Sequence, residues 1–256
     1  MNDDQVKSAL PAFQTQVHRD FAPVWGINAD ITFLPKGSQP PSGSWWLVVF
    51  DNSDQPGALG YHDVTNEGLP LGKVFAGTDM QFGANWTVTF SHELLEMLAD
   101  PEINLTVFDQ PNNTTGILYA YEVCDACEAD QFGYQIDSVT VSDFVYPTWF
   151  EAFQTGRNVQ FCHSKNIQNP FDLLPGGYIG VFDVMKGGGW TQKTAEGTPA
   201  RYALQARVQP RLGSRRERRK VPRDMRQKSQ VKFGSERSQA QENLRSRMGM
   251  VGLVCP

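Results

Sequence analysis

Trp86-Thr-Val-Thr-Phe-Ser-His92-Glu93-Leu-Leu-Glu96-Met-Leu-Ala-Asp100-Pro101 reads as a single amphipathic helix carrying a metal-site pattern, and the rest of the chain is understood from it. Leu94, Leu95 and Leu98, with Met97 near them, recur at helical spacing and predict a core-facing stripe. Asp100-Pro101 stops the helix, because proline disfavours helical geometry in the residue before it. Residues four apart share a helical face, so His92 and Glu96 can grip one ion. Glu93, one step round, can lean toward a water on that ion without ligating it. The plainer reading of the same spacing is a solvated helical face.

Downstream, Tyr119-Ala-Tyr-Glu122-Val-Cys124-Asp125-Ala-Cys127-Glu128-Ala-Asp130 crowds four possible ligands, Glu122, Cys124, Asp125 and Cys127, into one short segment. Glu122 follows Glu96 by 26 residues, a separation compatible with a return pass across the same site.

The helix resembles the His-Glu-x-x-His helix of zinc metallopeptidases, with Glu96 in place of the second histidine. A carboxylate suits zinc and also admits calcium, the second choice, or a purely structural role. Residues 5–190 as a whole resemble a family of bacterial and phage zincin-like proteins marked by Ser-His-Glu-x-x-Glu, then Asp-Pro, then Glu-x-x-Asp-x-Cys. The resemblance implies an α+β, zincin-like fold: an N-terminal helix, a mixed twisted sheet and an active-site helix. It implies that Glu122 or Asp125 completes a zinc site with His92 and Glu96. It further implies a metallopeptidase acting on a peptide or protein substrate, with Glu93 as general base. A non-catalytic, metal-stabilised binding module is the main alternative, since fold and chemistry separate easily.

In zincins the strand before the active-site helix lies at the sheet edge, where an extended peptide can pair with it. Here that strand is the segment from Leu59 to Thr65. Tyr61 and His62 could face the cleft from it as ligand, oxyanion stabiliser or proton donor. The alternative is an aromatic strand residue beside a solvent-facing histidine.

Cys124-x-x-Cys127 has three readings: packing or disulfide-linked cysteines, a structural metal site with Cys162 and His163, or a redox dithiol. Four cysteines, one of them the penultimate Cys255, do not suggest a disulfide scaffold. No signal-like or membrane-spanning run is present, which makes the cytoplasm the expected compartment.

The net charge of −5 conceals a split. Residues 1–200 carry 8 Lys+Arg against 24 Asp+Glu, and residues 201–256 carry 15 against 4, giving −16 and +11. This predicts an acidic metal-binding domain over residues 1–195 and a basic, mostly disordered tail over 196–256. Fifteen basic residues also suit nucleic acid or an anionic surface.

Along the chain, Val6, Leu10, Phe13, Val17 and Phe21 predict a helix over residues 4–24. Residues 28–35 and 44–51 read as strands, and the continuous apolar run Trp45-Trp-Leu-Val-Val-Phe50 predicts a central one. Strands are also expected at Lys73–Ala76, Ile103–Val107 and Thr115–Glu122, with a hairpin over 131–147 and a short helix over 148–153. Glycine and proline in residues 169–190 predict a loop-rich closing segment.

Overall fold

In the computed structural model, the described residues are 1–195 except Pro56 and Arg157, together with the backbone of 249–254. The architecture is α+β, with one mixed sheet, one antiparallel sheet and a small hairpin around a buried central helix.

The N-terminal helix begins at α1, Asp3–Thr15, where Asn2 and Gln5 form a reciprocal capping box. It passes through a π-helical stretch at Gln16–Phe21 and ends as α2, Ala22–Trp25, stopped by left-handed Gly26. Gln16 is buried there and donates to the Ser142 carbonyl, tying the π segment to a distant loop.

The mixed sheet contains β1 (Asp30–Leu34), β2 (Trp45–Phe50), β3 (Gly60–Val64) and β4 (Pro70–Phe75). After β4 come α3 (Ala76–Phe82) and α4 (Trp86–Ala99). The antiparallel part comprises β5 (Thr106–Asn112), β6 (Thr115–Ala120), the hairpin β7 (Tyr134–Ile136) and β8 (Val139–Val141), then β9 (Tyr178–Asp183) and β10 (Thr191–Thr194). The last strand is β11, Gly249–Val254.

In the mixed sheet the order is β1-β11-β2-β4-β3. β2 and β4 run parallel, and β3 pairs antiparallel with β4 and forms an edge. Trp45–Phe50 is central, as its continuous apolar character predicts, and one of its neighbours is β11. No strand was expected beyond residue 195, yet Gly249–Val254 lies between β1 and β2 and is antiparallel to both. The intervening stretch 196–248, including the basic run and any nucleic-acid contact expected of it, lies outside the described residues.

Two expectations are adjusted downstream. The short helix expected over 148–153 is a 3-10 helix at Pro147–Phe150, starting one residue earlier and ending three residues sooner. The loop-rich segment 169–190 contains β9, which pairs with both β6 and β10 in the sheet β10-β9-β6-β5. Its glycines mark the turns around a strand, and the strand itself is Tyr-Ile-Gly-Val-Phe-Asp.

α4 is the structural axis. Asn85 caps it by accepting from the Thr87 amide, and Asp100 accepts from the Asn104 and Leu105 amides beyond its end. Nearly every residue from Thr87 to Ala99 is buried, so this is a core helix whose polar face is almost wholly enclosed. Phe90 stacks on Phe13 of α1 at 4.2 Å between ring centroids, and Leu94, Leu95, Met97 and Leu98 fill the core beneath the mixed sheet. A buried polar face on such a helix needs partners from elsewhere in the chain. No helix among the described residues is long and apolar enough to cross a membrane.

Candidate metal centre

The partners of the polar face come from two directions. The edge strand β3 brings His62, and the segment after β6 brings Glu122, Cys124, Asp125 and Glu128. That segment is bent by a 3-10 turn at Asp125–Cys127, closed by the Cys127 amide donating to the Cys124 carbonyl. Close backbone approach holds it in place: the Leu174 amide donates to the Ala126 carbonyl, and a Cβ on Gly177 would overlap that same carbonyl.

His92 lies at the centre. Its Nε2 is 3.3 Å from Glu96 Oε2 and 3.3 Å from Asp125 Oδ1. Two ligands bound at about 2.0–2.1 Å to a tetrahedral ion stand about 3.3 Å apart, so both separations match the edge of a zinc tetrahedron. The Cys124 amide donates to Glu96 Oε1 at 3.1 Å, which fixes the carboxylate and turns Oε2 toward His92. Cys124 also brings its thiol: ligand atoms of His92, Glu96 and Cys124 all lie within 4.8 Å of one another. Two more groups meet the same limit, His62 with Glu96 and Glu122, and His92 with Asp125 and Glu128. The buried cluster can therefore hold a metal ion, and its nitrogen, oxygen and sulfur donors suit a borderline cation such as zinc.

Burial and crowding shift several of the acids and bases here. Burial lowers the His92 pKa, but Glu96 and Asp125 outweigh it and hold the imidazolium well above its ordinary range. His62 follows the same balance: burial opposes charge, while the bond to Glu93 and the charges of Glu122 and Glu96 raise its pKa to about 9. Burial, then the charges of Asp125 and Glu122, lift Glu96 to about 8 against the opposing pull of His92. Burial also pushes the Glu128 carboxyl and the Cys124 thiol well above their usual values. Carboxylates gathered at this density are costly to keep ionised without a cation, and a divalent ion would compete with the protons they retain.

Of the expected site residues, the fold brings together His62, His92, Glu93, Glu96, Glu122 and Asp125. Glu93 Oε2 is 3.4 Å from His62 Nδ1, and Glu93 packs so closely on β3 that a Cβ on Gly60 would stand 2.7 Å from its Oε1. Glu122 faces His62, with Oε2 3.9 Å from Nε2, while Asp125 is the carboxylate beside His92. Tyr61 is not brought to the cluster. Successive strand residues point to opposite faces, and with His62 turned inward the Tyr61 hydroxyl lies against Asp54 and Lys73.

Cys127, Cys162 and His163 join no candidate metal group among the described residues. The three cysteines among the described residues are free and buried, and His163 stacks on Phe144 and lies tilted against Tyr134. Sequence reasoning missed Glu128 and also Tyr178, whose hydroxyl is held well above its usual pKa by burial and by the nearby charges of Asp125, Glu128 and Glu96. Glu128 was detectable in principle, because residues three apart in a 3-10 turn share a side; nothing local marks Tyr178. Comparison with protein-family models, with curated proteins and with solved structures found no significant match.

Proposed function

We propose that this protein is a zincin-like, metal-dependent hydrolase, with zinc as the preferred ion and a peptide bond as the reaction centre. The observation that carries this reading is His92 Nε2, on the buried polar face of α4, standing 3.3 Å from both Glu96 Oε2 of the same helix and Asp125 Oδ1 of the 3-10 turn packed against it. The architecture supports it as well: a mixed sheet whose antiparallel edge strand, β3, lies beside that helix. His92, Glu96 and Asp125 are the first ligands, with Asp125 taking the place beside His92 that Glu122 was expected to share.

A zinc ion held there would supply a bound water acidified toward neutral pH and a Lewis acid for a carbonyl oxygen. Glu93 would accept the proton of that water, being adjacent to the ligands but directed toward Gly60 and His62. Charged His62, 3.4 Å from Glu93, would steady the carboxylate that accepts the proton.

The burial of the cluster favours one rival, a closed structural metal site in a binding module, because structural zinc keeps no open position. Two measurements separate them. His92→Ala should lose zinc in either case. Glu93→Gln should keep zinc and, in the hydrolase, lose about two to four orders of magnitude in peptide cleavage. Equal cleavage of a broad peptide library by wild type and Glu93→Gln leaves the structural reading. Full zinc content in His92→Ala removes both.

A further inference from the structure

We infer that the buried cluster is built for two divalent ions sharing Glu96, the second held by His62 and Glu122. The inference rests on the metal-centre reading above and extends it. Its starting point is His62, which edge strand β3 carries into the cluster with a side chain only 6% exposed.

The imidazole presents a nitrogen to each side. Nδ1 is 3.4 Å from Glu93 Oε2 and 3.7 Å from Glu96 Oε2. Nε2 is buried with no hydrogen-bond partner and lies 3.9 Å from Glu122 Oε2. That separation is too long for a hydrogen bond but falls within the span of two metal–ligand bonds of about 2.1 Å each. A buried imidazole nitrogen without a partner carries a desolvation cost, which a metal bond would offset.

Glu96 links the two halves. Its Oε1 is held by the Cys124 amide and its Oε2 lies 3.3 Å from His92 Nε2, while ligand atoms of Glu96, His62 and Glu122 also lie within 4.8 Å of one another. A carboxylate so placed can serve ions on both sides, as in two-metal hydrolytic sites where the ions stand about 3.5–4 Å apart. His92 with Asp125 and Glu128 forms one group of ligand atoms, and His62 with Glu96 and Glu122 forms another.

Charge balance points the same way. Glu93, Glu96, Glu122, Asp125 and Glu128 converge on this volume, and among the described residues the cationic groups paired with them at close range are the two imidazoles. An ion bound to an imidazole requires it neutral, so with all five carboxylates ionised one ion on His92 and a charged His62 leave two negative charges, and a second ion in place of the His62 proton leaves one. On this account His62 is a ligand, and the two ions together could clamp the attacking and leaving oxygens of one displacement.

The test is metal stoichiometry on the full-length chain. Protein stripped with a chelator is reloaded with Zn2+ or Mn2+, desalted, and assayed for metal per chain, with circular dichroism to check each variant's fold. Wild type should retain two ions, and His62→Ala and Glu122→Gln one each. The nearly isosteric Glu122→Gln decides the matter should His62→Ala misfold. Manganese-loaded wild type should also give the resonance of an exchange-coupled pair, reduced to an isolated-ion signal in Glu122→Gln. One ion in wild type, unchanged in both variants, overturns the second site and leaves the single-ion reading intact. No ion in wild type overturns both. Two ions retained in both variants would put the second ion elsewhere and overturn the assignment.

Discussion

Asp79 on α3 offers a quantitative test of how the acidic interior is held. The residue is fully buried, its Oδ1 accepts from Thr89 Oγ1 of α4 at 2.9 Å, and its Oδ2 has no partner. Burial, reinforced by the charges of Asp130 and Glu93 and opposed by the Thr89 bond, raises its pKa from 3.8 to about 7. The folded state therefore binds this proton more tightly than the unfolded chain. The resulting stability is fully present below about pH 4, falls as the pH rises toward 7, and is gone above that. At about 1.4 kcal/mol per pH unit, the part lost between pH 5 and pH 8 is roughly 2–3 kcal/mol.

Asp79→Asn keeps an acceptor for Thr89 and removes the charge. The new amide nitrogen replaces an unpartnered oxygen and costs about 1–3 kcal/mol at every pH. That constant cancels when the two proteins are compared across pH. The stability of Asp79→Asn relative to wild type should thus grow by roughly 2–3 kcal/mol from pH 5 to pH 8. Urea unfolding of chelator-treated protein, followed by tryptophan fluorescence, measures this directly. Parallel pH profiles for the two proteins would refute the reasoning, because they would mean that Asp79 is ionised in the fold without penalty.

Gly60→Ala places a Cβ 2.7 Å from Glu93 Oε1 and 2.8 Å from Thr89 Cγ2. It should lower peptide hydrolysis by about ten- to hundredfold while metal content stays at the wild-type level, since displacing a catalytic group by about 1 Å carries such a cost. Tyr61→Phe should leave metal content and hydrolysis unchanged, because its hydroxyl meets Asp54 and Lys73 outside the cluster; loss of metal would show that the strand faces the other way. A chain ended at residue 248 should melt lower than full length and aggregate more readily. Without β11, strand β1 loses its sheet partner and β2 exposes an edge. Equal melting temperatures for the two chains would count against the strand placement.

How much could be read before the fold was known follows from the range of each interaction. The span of α4 was legible because its signals are local: apolar residues at helical spacing and the Asp100-Pro101 stop. The neighbourhood of His92 and Glu96 follows from helical geometry alone, and so was equally legible. The central position of Trp45–Phe50 was legible because a strand buried on both faces must be apolar on both. The identity of its neighbour was not, since β11 lies some 200 residues away and pairs through backbone groups that every sequence possesses.

The same division runs through the candidate site. Sequence alone determined which ligand types were available and placed His92 and Glu96 on one face of one helix with Glu93 one step round from them. Strand alternation likewise required Tyr61 and His62 to point in opposite directions, but which of them turned inward depended on how β3 docks beside α4. Tertiary structure decided that His62 enters the cluster, that Asp125 meets His92 while Glu122 meets His62, and that Glu128 and Tyr178 join them. Those pairings depend on the docking of a sheet edge, a core helix and a 3-10 turn, and local residue spacing carries no information about how separate elements approach one another.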